Sequence, residues 1–202
     1  MAKWHGYGRC KTRLARDIGK NNSAKIQSMM TNHTISVAKY LQKINIIDTT
    51  IAISNLGRKN CRRWSKELGI KKFSLQGKGC LGEKMKRQII FNKKFCTQNN
   101  IKKIIFIGTD LPDLCHLDLI NTTKELEKND LILGPSNDGG YWLIGLSEKI
   151  MSSHIYLPFI NIKWGTGNVL QNTIDNFDSA KYKFKFLEKK IDIDTIIDIE
   201  NR

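Results

Sequence analysis

Segments of strand character alternate with segments of helix character along the whole chain, and that alternation leaves few folds open. Thr49–Ile53 alternates Thr, Ile and Ala, and Lys72–Leu75 is a short strand. Lys103–Ile107 is a near-continuous β-branched run, the pattern of a parallel strand buried on both faces. Leu131–Leu133, Tyr141–Leu146 and Tyr182–Leu187 read as further strands. Between them, Ile26, Met29, Met30, Ile35, Val37, Ala38 and Leu41 recur near a 3.6 spacing. They predict a long helix over Ser23–Ile44 with Ser23 as its N-cap. Asn60–Leu68 predicts a helix that stops at Gly69. Leu81–Cys96, Leu117–Leu126 and Asn168–Phe177 predict three more. Such alternation argues for an α/β domain with a mostly parallel sheet. With no repeat, low-complexity tract or linker, the 202 residues are expected to form a single domain over 1–202. Ligands of open α/β sheets bind beyond the carboxyl ends of the strands, so the informative residues are expected in loops just after strands.

Composition narrows the function classes. No apolar run approaches the length of a membrane span, and Lys3, His5, Arg9 and Lys11 precede no apolar segment of a secretory signal. The five cysteines are odd in number, widely spaced and lack a CxxC pair, which excludes a disulfide framework and a zinc site of usual spacing. A reducing cytoplasm fits best. Cys115-His116 lacks the second pair of ligands that a metal site needs. The net charge is +15, but 26 of the 34 basic residues are Lys, scattered with no block longer than two. That distribution reads as a solvated basic surface. A small phosphate-bearing ligand is the lesser alternative, and no nucleic-acid or membrane partner is expected.

Four loops carry candidate chemistry. In Gly8-Arg9-Cys10-Lys11-Thr12-Arg13-Leu14, three cations and a hydroxyl follow a glycine that lets backbone approach an anion. The cluster lacks the GxxxxGK[ST] spacing of a P-loop, and a solvated basic N-terminus is its plainer reading. In Ile107-Gly108-Thr109-Asp110-Leu111-Pro112-Asp113, a carboxylate directly follows a strand. There a hard oxygen can hold Mg²⁺ or Mn²⁺ beside a diphosphate, or Asp110 or Asp113 can simply cap the next helix. Gly134-Pro135-Ser136-Asn137-Asp138-Gly139-Gly140-Tyr141-Trp142 brings a carboxylate and a Gly-Gly pair suited to a close ligand, and equally to an ordinary turn. Asp192, Asp194 and Asp198 bring three carboxylates together near the C-terminus, where one can add a metal ligand or cap the final turn.

Taken in order, these segments resemble a bacterial family of glycosyltransferase-A-like proteins commonly described as arsenosugar-biosynthesis glycosyltransferases. Ala2-Lys3 through Leu14 resembles its opening AKxPxxGxxKTRL pattern, and Gln76 to Met85 its QxGxxLGERM segment. Gly108 to Leu114 is similar to GxDxPxL, and Gly134-Pro135 with Asp138 to Gly145 to GPxxDGGYxLIG. Trp164-Gly165-Thr166 and Asp192-Ile193-Asp194-Thr195 match its W-S/G-T and DxDT elements. The resemblance implies the nucleotide-diphospho-sugar transferase fold, a three-layer α/β/α sandwich. By position it implies that Gly8, Arg9, Lys11, Thr12 and Arg13 hold nucleotide phosphates, and that Asp110, with Asp194 behind it, binds Mg²⁺ or Mn²⁺. Gln76, Gly139, Gly140 and Trp164 would contact substrate; if the product is inverted a general base is needed, and Asp138, just before Gly-Gly, is the candidate.

The resemblance therefore implies a metal-dependent transferase using a nucleotide-sugar donor, in which metal, Arg9, Lys11 and Arg13 neutralise the leaving diphosphate. A nucleotidyltransferase of the same fold is the first alternative, and a non-catalytic basic nucleic-acid-binding or regulatory protein the second. Three departures stand out. His5 and Tyr7 replace prolines of the pattern, and Cys80 stands where the family often shows Asp. The pattern also normally follows an apolar first strand, and nothing in residues 1–3 is expected to supply it. A start placed a few codons late is the expectation.

Overall fold

The computed structural model describes residues 1–95 and 101–200, so Cys96, the predicted end of a helix, lies outside the described residues. In chain order the elements are β1 (Ala2–Lys3), α1 (Leu14–Lys43), β2 (Thr50–Ser54), α2 (Arg58–Glu67), β3 (Lys72–Leu75) and α3 (Leu81–Phe95). They continue as β4 (Lys103–Ile107), α4 (His116–Glu125), β5 (Leu131–Pro135), β6 (Tyr141–Ser147) and α5 (Glu148–Ser153). A 3₁₀ turn at Leu157–Phe159, α6 (Val169–Ser179), β7 (Phe184–Phe186) and α7 (Ile197–Glu200) complete the α/β fold. Among the described residues, no helix is long and apolar enough to cross a membrane. The chain divides into two compact units.

The first unit comprises Met1–Leu75, Gly108–His116 and Ile191–Arg202. Its sheet runs β1-β2-β3, parallel throughout, with Ala2 opposite Ile53 and Thr50 opposite Lys72. Parallel neighbours need long crossovers, and α1 and α2 supply them. Ile51, Ala52 and Ile53 of β2 are all buried, as a strand covered on both faces requires. Ile35, Ile51, Ile53, Cys61, Trp64 and Ile70 form one core cluster, joined by Ala2. The first strand is short, as expected: Ala2–Lys3 pairs with β2 over two residues only. A second cluster packs Leu14 and Met30 of α1 on Ile193 of the C-terminal segment.

Two expectations for helices resolve differently here. α2 ends as predicted, with Gly69 at φ 70 and its N–H donating to the Lys66 carbonyl at 3.0 Å. α1 instead begins at Leu14, and Ser23 is no N-cap: it is buried inside the helix, its hydroxyl donating to the Lys20 carbonyl. The helix breaks at Gly19, where φ 82 and ψ 158 are open to a residue without Cβ. The polar run Asp17–Asn22 carries too few apolar residues to show the first part by periodicity.

The second unit comprises Gln76–Ile107 and Leu117–Lys190. Its sheet runs β4-β6-β5-β7. β6 is antiparallel to both β4 and β5, while β7 is parallel to β5. Residues 136–140 are too few for a crossover, so β5 and β6 must form a hairpin. β4 is thus not the two-face-buried parallel strand its composition suggested. Its described partner is antiparallel, and only Phe106 is fully buried. The core sits instead on the central strands, where Leu131, Ile132, Leu133, Leu143, Ile144 and Leu146 are all buried.

Candidate active site

The N-terminal loop leaves β1 and returns into α1 through a tight backbone path. Gly8 takes φ 67, and Lys11, without a glycine's freedom, takes φ 45. The Lys11 carbonyl accepts the Ala15 N–H at 2.8 Å, which starts the helix. A left-handed conformation costs an ordinary residue roughly 1–2 kcal/mol, and what it achieves here is to turn the Lys11 side chain inward. With its side chain 3% exposed, its ammonium lies 3.1 Å from Asp110 Oδ1 and 2.8 Å from Asp194 Oδ1. Arg13 donates to the other Asp194 oxygen. Gly8, Arg9, Thr12 and Arg13 of the same loop are exposed. Burial by itself pushes the Lys11 ammonium down, but Asp110 and Asp194 outweigh it and hold its pKa above the ordinary lysine value. Lys11 is therefore a fixed positive charge at any pH near neutrality.

The two carboxylates come from distant parts of the chain and are tied by backbone. Ile193 N–H donates to the Asp110 carbonyl at 3.0 Å, which sets Asp194 beside Asp110. The turn carrying Asp194 is closed by Asp198, whose Oδ2 accepts the Asp194 N–H at 2.9 Å, the Thr195 N–H at 2.7 Å and the Thr195 hydroxyl at 2.8 Å. Burial, the largest single influence, raises the Asp198 carboxyl, but those three donors and the nearby Arg13 charge together outweigh it and hold it below the usual carboxylate range. Asp198 thus takes the capping role, and Asp194 faces the cations.

Among the described residues, no group of three or more His, Cys, Asp or Glu side chains gathers as a self-sufficient metal cage. The donor chemistry fits a different arrangement. Asp110 and Asp194 gather on one ammonium while their side chains stay 42% and 34% exposed. Mg²⁺ is commonly held by one or two carboxylates plus substrate phosphates, keeping several waters. Two hard, partly exposed carboxylates beside the cations of Lys11 and Arg13 match that pattern for Mg²⁺ or Mn²⁺.

The sequence missed one contributor, Gln27 of α1, which is buried and donates to Thr109 beside Asp110. Its only signal is a polar residue on a helix face where periodicity asks for an apolar one.

The other candidates lie in the second unit. Asp138 Oδ1 accepts the Ser136 hydroxyl and the Gly140 N–H, so this oxygen closes its own turn. Gly139 sits at φ 80 with the Gly167 backbone directly against it. Gln76 is buried, and Arg87 donates both to its carbonyl and to that of Lys78, stapling the loop ahead of α3. Trp164 lies against Gly82, where any Cβ would come within 2.8 Å of the indole. Cys80, exposed, precedes α3, and its N–H donates to Glu83.

With the geometry established, similarity to known proteins adds context. The model of a bacterial family described as "uncharacterized protein conserved in bacteria", DUF2064, matches residues 37–166. No curated protein matches the chain. A solved structure of a candidate nucleotide-diphospho-sugar transferase from Desulfovibrio desulfuricans G20 is similar, with a TM-score of 0.80 and 26% identity. The match covers 98% of this chain and 81% of that one. A 4-diphosphocytidyl-2C-methyl-D-erythritol synthase from Anaerococcus prevotii DSM 20548 is similar with a TM-score of 0.54 and 12% identity, covering 85% of this chain and 86% of that one. A cytidylyltransferase from Leptospira borgpetersenii serovar Hardjo-bovis strain JB197 gives 0.55 and 13%, covering 85% and 72%. The last two share the fold.

Proposed function

Because this chain belongs to the bacterial DUF2064 family and has the nucleotide-diphospho-sugar transferase fold, we propose that it is a transferase acting on a nucleotide-sugar donor. The observation that carries the proposal is the Lys11 ammonium bridging Asp110 and Asp194, with Arg13 on the second Asp194 oxygen and exposed Arg9 and Thr12 in the same loop. Cations on a glycine turn suit a diphosphate, and a carboxylate just past a strand, Asp110, with Asp194 beside it suits a metal that shares it.

In this reading Lys11 and Arg13 orient the donor diphosphate, and Arg9 and Thr12 add donors from the exposed side of the loop. Their charge is preorganised by the ion pairs, so no solvent rearrangement is needed when the leaving group gains charge. Asp110 and Asp194 would hold Mg²⁺ or Mn²⁺, which supplies further stabilisation of that leaving charge. In the second unit, Gln76, Gly139, Gly140 and Trp164 are proposed substrate contacts. The second oxygen of Asp138 is the proposed base toward an acceptor hydroxyl, its first being held by the turn.

A thermal-shift screen tests the donor class. UDP-, GDP- and dTDP-linked sugars and the matching triphosphates are compared with and without Mn²⁺. A nucleotide sugar at a hundred times its Kd should raise the midpoint by about 5–10 °C in Mn²⁺. A clear preference for triphosphates would replace glycosyl transfer with nucleotidyl transfer. Stabilisation by none of them would overturn the nucleotide reading.

A further inference from the structure

We propose that Gln27 is a positioning residue that sets the Asp110 carboxylate for metal binding, an inference that rests on the reading of Asp110 as a metal ligand. The face of α1 turned inward is polar over Ser23, Gln27, Thr31 and Thr34, all buried. These positions recur near helical spacing, so one stripe of the helix is polar where a core-facing stripe is ordinarily apolar. Burying a carboxamide is unfavourable unless it is hydrogen-bonded, which gives its bonds their weight.

Gln27 Nε2 lies 3.3 Å from the Thr109 carbonyl, 3.3 Å from the Thr109 hydroxyl and 3.4 Å from the Thr31 hydroxyl. A main-chain carbonyl only accepts, so the amide must present its NH₂ to Thr109, which fixes its orientation. The Thr109 carbonyl shares one rigid peptide plane with the Asp110 nitrogen. Holding that oxygen therefore fixes the plane from which the Asp110 Cα departs. On the far side, the Asp110 carbonyl accepts the Ile193 N–H. Asp110 is thus clamped at both flanking peptides, one by Gln27 and one by the segment that carries Asp194. The clamp aims the carboxylate at Lys11 without touching it. Such outer partners of metal ligands commonly change metal affinity by ~10–100-fold when removed.

The test separates metal from nucleotide. Gln27→Met keeps the length and loses the donor. Mn²⁺ affinity is measured by paramagnetic resonance in the presence of UDP and GDP, and metal-free nucleotide affinity by calorimetry. The inference expects Mn²⁺ affinity to fall about tenfold with nucleotide affinity unchanged within about twofold, because Lys11 and Arg13 keep Asp194 as a partner whatever Asp110 does. A lower thermal midpoint with both affinities unchanged would show a purely structural glutamine and overturn the inference. Equal loss of both would overturn it too. Thr31→Val, which leaves both Thr109 contacts, should leave Mn²⁺ affinity unchanged. If the methionine variant does not fold, Gln27→Asn, one carbon too short to reach Thr109, must show the same split. Wild-type protein that binds no Mn²⁺ under any condition would overturn the metal reading itself, an outcome distinct from equal Mn²⁺ binding by wild type and variant.

Discussion

Replacing Lys11 with methionine is expected to lower turnover by about 10²–10³-fold with only a small change in thermal midpoint. A preorganised donor facing a charge that develops in the transition state has about that effect when removed. Lys11 is the buried cation of the loop, whereas Arg9 is exposed and free to be replaced by water. Stability changes little because both carboxylates left behind are a third or more exposed and can be solvated. Turnover on whichever donor the screen identifies, with the midpoint measured in parallel, checks this. An unchanged rate would make Lys11 a structural strut. The direction of its pKa adds a pH signature. A raised folded value means that the ion pairs stabilise fully below the ordinary lysine pKa of 10.5, and that this is lost only as pH rises through the higher folded value. Any rate change between about pH 5 and 9 therefore belongs to another group.

Gly139→Ala is expected to be strongly destabilising. A Cβ at this position would stand 2.0 Å from the Gly167 carbonyl oxygen and 2.6 Å from its carbon. Both are backbone atoms, so no side-chain rotation relieves the clash. The φ of 80 adds the left-handed penalty of roughly 1–2 kcal/mol, and overpacking adds about as much again or more. The Gly139 carbonyl also accepts the Leu170 N–H, so displacement would disturb the start of α6. A loss of about 3–5 kcal/mol, or roughly 10 °C in midpoint, should appear on thermal or urea unfolding. Gly165→Ala is the comparison. It has a similar φ of 80 but nothing near its Cβ, so it should cost only the conformational part. Equal effects of the two would show that the Gly167 contact carries no weight.

How far the sequence reached depended on how local the signal was. β3 and the limits of β4 were legible because apolar and β-branched residues define them without reference to neighbours. The end of α2 was legible because only a left-handed residue such as Gly69 closes a helix that way. The start of α1 was not, since Gly19 divides it and the residues around it lack an apolar period. The antiparallel course of β6 was not legible from strand composition, because pairing direction is decided by which strands meet. Ala2–Lys3 is too short to show any period. In the site, Lys11, Asp110 and Asp194 stood out by type and order, and the family resemblance linked them. Their mutual ion pairing needed coordinates. Gln27 stayed silent because its role depends on which carbonyl a helix face meets.

The central claim is that Asp110 and the Lys11 loop bind a nucleoside diphosphate together with a divalent metal. Calorimetric titration of UDP and GDP into wild-type protein and Asp110→Ala, each with and without Mn²⁺, tests it most directly. Lys11 keeps Asp194 as a partner in the variant, so the loop should persist. The expected result is binding by wild type that tightens at least tenfold in Mn²⁺, about 1.4 kcal/mol, and binding by the variant that ignores Mn²⁺. Equal enhancement by Mn²⁺ in both proteins, or no nucleotide binding by the wild type, would contradict the account.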